Sequence, residues 1–387
     1  MNFIYFDNAS TTQLDKRVFD KMTPYFCDVY ANASSTHTCG DMAYQAIEEA
    51  RDTISRILNC RHSEIYFTAG GTESNNMALR GVMHNYDRGH LIVSSIEHDS
   101  VYNTALALEK EGYEVSFAPV NVDGHVDLSR LEDLIRPDTK LISIMLVNNE
   151  TGCVQPIDQI VSLAKTRGIL VHTDSVQAVG HMPIDLEKMG VDMMSMSAHK
   201  FGGPKGVGAL FVSNNVKLSA YMTGGDQESG YRSGTYNTPA IVGMAQALNY
   251  SQEEEYYMPL VDMLSSALIE KLTNIDGVHI NGTAPRQSGI VNIYVKGVPN
   301  KLMVQLLDLK GVAISIGSAC SAGMDDPSRT LVAMGKSDEE VNGSVRISLY
   351  KYNTLDEVDK LYQLLSDIIS NYRSKVAFRT IDTTANI

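Results

Sequence analysis

The chain has 387 residues, 43% of them hydrophobic, with a formal net charge of −14 and five cysteines. That length suits two domains sharing one site, and the apolar fraction supports a sizeable core, which excludes a disordered chain. The acidic balance argues against an electrostatic nucleic-acid footprint, which needs a basic face.

The opening MNFIYFDNAS lacks the basic and apolar regions of a secretory leader, and no apolar run approaches the roughly 20 residues that span a bilayer. A soluble cytoplasmic protein is expected. Cys27, Cys39, Cys60, Cys153 and Cys320 show no C-x-x-C spacing, so disulfides are not expected. The pairs His37 with Cys39 and Cys60 with His62 do not make a tetrahedral metal site.

In chain order, Asp7 to Thr12 precede an amphipathic helix near Lys16 to Phe26 and a polar loop over Ala31 to Gly40. Glu64 to Thr68 reads as a strand, and Ala69-Gly70-Gly71-Thr72-Glu73 turns into a helix over Ser74 to His84. Free N–H groups and the positive dipole end at such a helix start make an anion site, and glycines let a phosphate approach closely. From His90 the pattern alternates: strands at His90 to Ser95, Glu114 to Val120, Lys140 to Val147 and Ile169 to His172, with helices at Val101 to Lys110, Leu128 to Ile135 and Ile157 to Thr166 between them. This alternation predicts an α/β fold with a mainly parallel central sheet, helices on both faces and ligands at the carboxyl ends of the strands. His98, Asn149 and Asp174 all fall at such ends.

Asp174 is costly at the end of a core strand unless it meets a cation, and a protonated pyridine nitrogen would be one. Capping of a following helix explains it equally well. Met193 to Met196 reads as the next core strand, leading through Ser197 and His199 into Lys200 and a glycine turn. Burial there favours the neutral amine, a nucleophile towards aldehydes, so Schiff-base chemistry is the expectation.

A further strand, Val207 to Val212, leads to a long polar loop containing Arg232-Ser233-Gly234-Thr235. Beyond a helical stretch at Glu253 to Thr273, a smaller α+β domain is predicted, with a helix over Lys301 to Leu309 and a last helix over Leu355 to Tyr372. In it, Cys320 sits in a loop of small residues between Gly317 and Gly323, and Arg346 lies on a strand. An arginine there suits a bidentate grip on a carboxylate, although a surface salt bridge accounts for it as well.

From YFDNASTT at Tyr5 to about Tyr372 the chain resembles the fold-type-I pyridoxal-phosphate enzymes, of the class-V aminotransferase family, and among them the cysteine desulfurases of the NifS and IscS kind. The string G-S-A-C-S around Cys320, followed by Pro327-Ser328 and Leu331, is the most specific part of the likeness. The resemblance implies the PLP-dependent transferase fold: residues 1–15 along the cleft with the small domain, 16–256 a large cofactor-binding domain, 257–374 a small domain carrying the cysteine loop, and 375–387 a mobile tail.

It further implies that Lys200 carries the pyridoxal 5'-phosphate and serves as base, that Asp174 pairs with the ring nitrogen, and that His98 stacks on the ring and moves protons. Gly71, Thr72, Ser197 and His199 would hold the phosphate, and Asn149 and Gln177 the ring oxygen and substrate region. Thr235 would reach the phosphate of the other subunit of a homodimer. Asn32, Asn149 and Arg346 would bind substrate, and Cys320 would take sulfur as a persulfide. The implied reaction turns L-cysteine into L-alanine and passes sulfur to an acceptor such as an iron–sulfur scaffold or a thiolation enzyme, with no metal, nucleic acid or membrane. Two departures stand out: Ala33 where relatives more commonly have proline, and Arg329 where they often have His or Tyr. A selenocysteine lyase, an aminotransferase and a non-catalytic sulfur-relay homologue remain alternatives.

Overall fold

The computed structural model describes residues 3–253, 257–317 and 327–384. β1 (Ile4–Tyr5) leads to α1 (Lys16–Met22), α2 (Pro24–Cys27) and α3 (Thr38–Leu58). The single helix expected over Lys16 to Phe26 is split, because Pro24 has no N–H to continue α1 and instead starts α2. α3 goes beyond the expected elements: the His37 ring accepts from the Gly40 N–H, and Ala43, Ile47, Ala50, Ile54 and Leu58 recur on one buried face. Each of its larger aliphatic side chains contributes roughly 1.5–3 kcal/mol by burial.

The alternation then runs as predicted: β2 (Ile65–Thr68), α4 (Gly71–Met83), β3 (His90–Ser94), α5 (Asp99–Lys110), β4 (Glu114–Ala118), α6 (Leu128–Leu134), β5 (Thr139–Ser143), α7 (Ile157–Lys165), β6 (Leu170–Asp174), α8 (Leu186–Met189), β7 (Met193–Ser197) and β8 (Gly208–Val212). They form a seven-stranded sheet in the order β2-β8-β7-β6-β5-β3-β4. Only β8 runs against its neighbours. β5 ends at Ser143, short of the expected Val147, and Glu97 is the reason. Its carboxyl Oε1 accepts from the Met145 N–H at 2.8 Å, taking the place β3 would fill, while Leu146 still donates to the Asp174 carbonyl of β6 at 2.9 Å.

After α9 (Thr238–Glu253) and α10 (Tyr257–Thr273) come β9 (Val278–Asn281), β10 (Ile290–Val295), α11 (Asn300–Asp308), β11 (Val312–Ala313), α12 (Arg329–Ala333), α13 (Asp338–Asn342), β12 (Ser344–Ser348) and α14 (Leu355–Thr384). β12, β10 and β9 form a separate antiparallel sheet. The amino-terminal strand joins this second body: β1 pairs with β11, and Ile4 and Phe6 pack in its core beside Val291, Ile347 and Leu361. α14 continues to Thr384 through residues expected to form a tail, since no glycine or proline interrupts it.

Candidate active site

A cleft between the carboxyl ends of the parallel strands and the amino-terminal segment gathers Gly71, Thr72, His98, Asn149, Asp174, Gln177, Ser197, His199, Lys200 and Arg346. Nine of these ten were expected around a cofactor, and Arg346 around a substrate. Parallel strand ends converge there because the crossovers return each chain to the same edge.

Asp174 ends β6 and is 4% exposed. It caps no helix, because turns follow it; one oxygen accepts from the Val176 N–H at 3.0 Å and the other from Asn75 Nδ2 at 2.6 Å. Asn75, one turn into α4, went unread in the sequence, although its place on the helix that starts at the glycines was a signal. Its second Nδ2 hydrogen goes to Ser100 Oγ at 2.8 Å, and Ser100 Oγ lies 2.8 Å from His98 Nδ1. His98 Nδ1 also accepts the Ser100 N–H, so a neutral imidazole carries its proton on Nε2. Burial, before all else, pushes the His98 pKa down, with Lys200 and Arg329 acting the same way against Asp174 and Asp99.

Lys200 follows β7 on a single tight turn. Its Nζ donates to the carbonyls of Ala9 (2.6 Å) and Ser10 (2.8 Å), and Gln177 Nε2 also donates to Ala9 at 2.8 Å. The His181 ring, kept neutral by burial with a pKa of about 4, donates Nε2–H to the Lys200 carbonyl at 2.7 Å. Backbone carbonyls from the DNAST stretch thus hold the lysine amine at the cleft.

At the start of α4, Gly70 has φ 152° and ψ −178°, a conformation that favours glycine, and no side chain caps the helix. A Cβ on Gly71 would lie 2.7 Å from Val176 Cγ2. Thr72, Ser197 and His199 surround this helix end. Burial, Lys200 and Lys205 bring the His199 pKa down to about 4, and its Nδ1 lies 3.1 Å from Thr11 Oγ1.

Arg346 sits on β12 and is 1% exposed, which excludes the surface salt bridge. Its guanidinium donates to Asp7 Oδ1 at 2.8 Å, Ser10 Oγ at 2.7 Å and the Asn149 carbonyl at 2.9 Å. Two expected site residues lie elsewhere in the single chain: Asn32 is exposed and accepts from the Ser34 N–H, and Thr235 is exposed on the long loop. Cys320 lies outside the described residues.

The residues fit pyridoxal phosphate on their own chemistry. A buried carboxylate suits a protonated ring nitrogen, an open helix start with Thr72, Ser197 and His199 suits a phosphate, and a lysine amine suits an aldehyde. Among the described residues, no cluster of His, Cys, Asp and Glu could hold a metal, and no helix is long and apolar enough to cross a membrane.

The aminotransferase class-V family matches residues 4–361. A curated relative named cysteine desulfurase IscS, from Methanosarcina thermophila, is 41% identical over 376 residues, covering 96% of this chain and 93% of the relative. Among solved structures, a NifS-like protein aligns with a TM-score of 0.90 at 36% identity, over 95% of this chain and 99% of that one. A structure titled SspA in complex with cysteine aligns with a TM-score of 0.81 at 36% identity, over 91% and 100% of the two chains.

Proposed function

The chain belongs to the aminotransferase class-V family and is a pyridoxal-phosphate-dependent cysteine desulfurase, and we propose that Lys200, Asp174, His98 and Arg346 act together in its cleft to release sulfur from L-cysteine onto Cys320. The observation that carries this assignment of roles is their convergence, from four separate chain segments, on one cleft.

Gly71 and Thr72 at the open helix start, with Ser197 and His199, would hold the phosphate, and Asn149 and Gln177 would line the ring. When bound, the group supplies an aldehyde for an amine and an electron sink for charge developing at Cα. Asp174, oriented by Asn75, keeps the proton on the ring nitrogen. Lys200 Nζ, once released from its carbonyl partners, takes the Cα proton of cysteine; after the Cβ–S bond breaks, Cβ gains the proton given up by the Cys320 thiol and Lys200 returns the Cα proton, so that alanine departs. Arg346 offers its guanidinium to the substrate carboxylate beside Asp7 and Ser10. His98 donates or recovers a proton at Nε2 as the sulfur leaves. The Cys320 thiolate attacks the substrate sulfur, the Cβ–S bond breaks, and a persulfide remains on Cys320 for a reductant or an acceptor.

Exposed Thr235 suits completion of a second subunit's phosphate site in a homodimer. A sulfur acceptor such as an iron–sulfur scaffold protein is the partner we propose for the persulfide. The described cysteines, all free, suit a cytoplasmic enzyme. Asn32 would reach substrate from the exposed loop.

The test is alanine formation from L-cysteine and reductant by the cofactor-loaded protein, beside Cys320→Ala and Lys200→Ala. Alanine from the parent and none from either variant is expected. Alanine from Cys320→Ala at the parent rate would overturn the persulfide step, and alanine from Lys200→Ala would overturn the role of the lysine.

A further inference from the structure

We propose that Arg329 is a positioning residue for His98, gripping the chain on both sides of the imidazole. Arg329 opens α12, and its Nη2 donates to the Glu97 carbonyl at 3.0 Å and to Asp99 Oδ1 at 2.7 Å, the residues immediately before and after His98. Its guanidinium carbon also lies 3.8 Å above the centroid of the Tyr102 ring, one turn further along α5. Tyr102 in turn rests on Phe117 of β4, with ring centroids 4.8 Å apart, so the grip is on a packed platform.

His98 takes its orientation from the turn it starts. It is the N-cap of α5, and its Nδ1 accepts the Ser100 N–H and lies 2.8 Å from Ser100 Oγ, both in that first turn. A tilt of the first turn of α5 therefore tilts the imidazole. Arg329 prevents that tilt by tying the turn to α12. The preceding residue extends the tie: Ser328 Oγ donates to Glu150 Oε2 at 2.6 Å, and Glu150 adjoins Asn149. The pair Ser328-Arg329 thus joins α12 to the two loops that bring His98 and Asn149 to the cleft.

The charge has its own effect. The charged groups around His98 are Asp174 on β6, Lys200 after β7, Asp99 on α5 and Arg329 on α12; Glu97 precedes it with a buried carboxyl whose pKa is raised. Arg329 opposes Asp99. Removing it leaves the Asp99 carboxylate free to favour the imidazolium, so His98 protonates at a higher pH.

This inference rests on the proposed role of His98, and two readouts keep the failures apart. One is NMR titration of histidine-labelled, cofactor-loaded protein, with His98 assigned by its loss in His98→Gln; the other is the pH profile of alanine formation. For Arg329→Met we expect the His98 midpoint to rise by about half a pH unit and the acidic limb of kcat/KM to move with it. We also expect kcat to fall about tenfold, with KM changed less. Arg329→Lys keeps a charge but loses the reach and the planar guanidinium that rests on Tyr102, so it should leave the midpoint near the parent's while kcat still falls. Adding Asp99→Asn to Arg329→Met should return the midpoint. An unchanged His98 titration and pH profile in Arg329→Met would overturn the proposal, whatever happens to Tm. If that variant does not fold, an Arg329→Lys enzyme with the parent's kcat overturns it. A parent that titrates as expected but makes no alanine would instead sink the desulfurase roles.

Discussion

The two walls of the cleft are built on different terms. On the sheet side, Asp174, Lys200 and the Gly70-Gly71 turn each follow directly from a strand, so secondary structure alone carries them to the edge where the strands converge. On the opposite side, Asp7, Ser10, Asn149 and Arg346 come from segments up to 339 residues apart and hold one another by hydrogen bonds and charge. The sheet wall therefore places chemistry through backbone geometry. The other wall places it through a buried polar network, whose members depend on each other.

The largest effect expected on this contrast is at Asp174. Asp174→Asn keeps the acceptor for Val176, and Asn75 can turn its Oδ1, buried and without a partner among the described residues, towards the new amide. The fold should hold, with Tm nearly unchanged, while kcat/KM for alanine formation drops by at least ~10²-fold, because only the charge is lost. A matching loss of Tm would show the sheet wall to be as interdependent as the other.

On the network side the effect should appear as stability. Arg346→Met strands Asp7 and the Asn149 carbonyl at a site where the arginine is 1% exposed. A loss of about 3 kcal/mol in urea unfolding is expected, together with a raised KM for cysteine. Asp7→Asn, at a residue with some exposure, should cost only about 1 kcal/mol and leave Arg346 its other two acceptors.

A pH-dependent effect concerns Glu97, whose burial pushes its carboxyl pKa up to about 8 from an ordinary 4.5. A raised folded-state pKa means that the native protein binds this proton more tightly than the unfolded chain. The resulting stability is fully present below about pH 4.5 and is lost as pH rises through 8. Stability of the parent should fall by at least ~1 kcal/mol between pH 5 and 8, and Glu97→Gln should flatten that slope. A parallel slope in the variant would assign the pH dependence to other groups.

Much of the first wall was legible in the chain. Periodic apolar runs marked the strands, and Gly70-Gly71, His98, Asp174 and Lys200 stood at their ends. Arg346 was legible as a charge on an apolar strand, but its partners were not, since Asp7 and Ser10 lie at the other end of the chain. Asn75 went unread, since its contact with Asp174 exists only once β6 lies beside α4. Arg329 was visible as a departure with no derivable effect, and its contact with both neighbours of His98 exists only once α12 packs against α5.

Local backbone preference and hydrophobic period act over a few residues, and so the amino-acid sequence by itself determined the alternating elements, the parallel sheet and the residues at the strand ends. Which distant groups meet depends on the burial of whole surfaces against each other. Only the tertiary structure decided that the Ala9 and Ser10 carbonyls hold Lys200, that Asn75 links Asp174 to Ser100 and His98, and that Arg346 is enclosed by Asp7, Ser10 and Asn149. A buried polar group must be satisfied by whatever the packing brings within about 3 Å, and that requirement carries no signature in the local sequence.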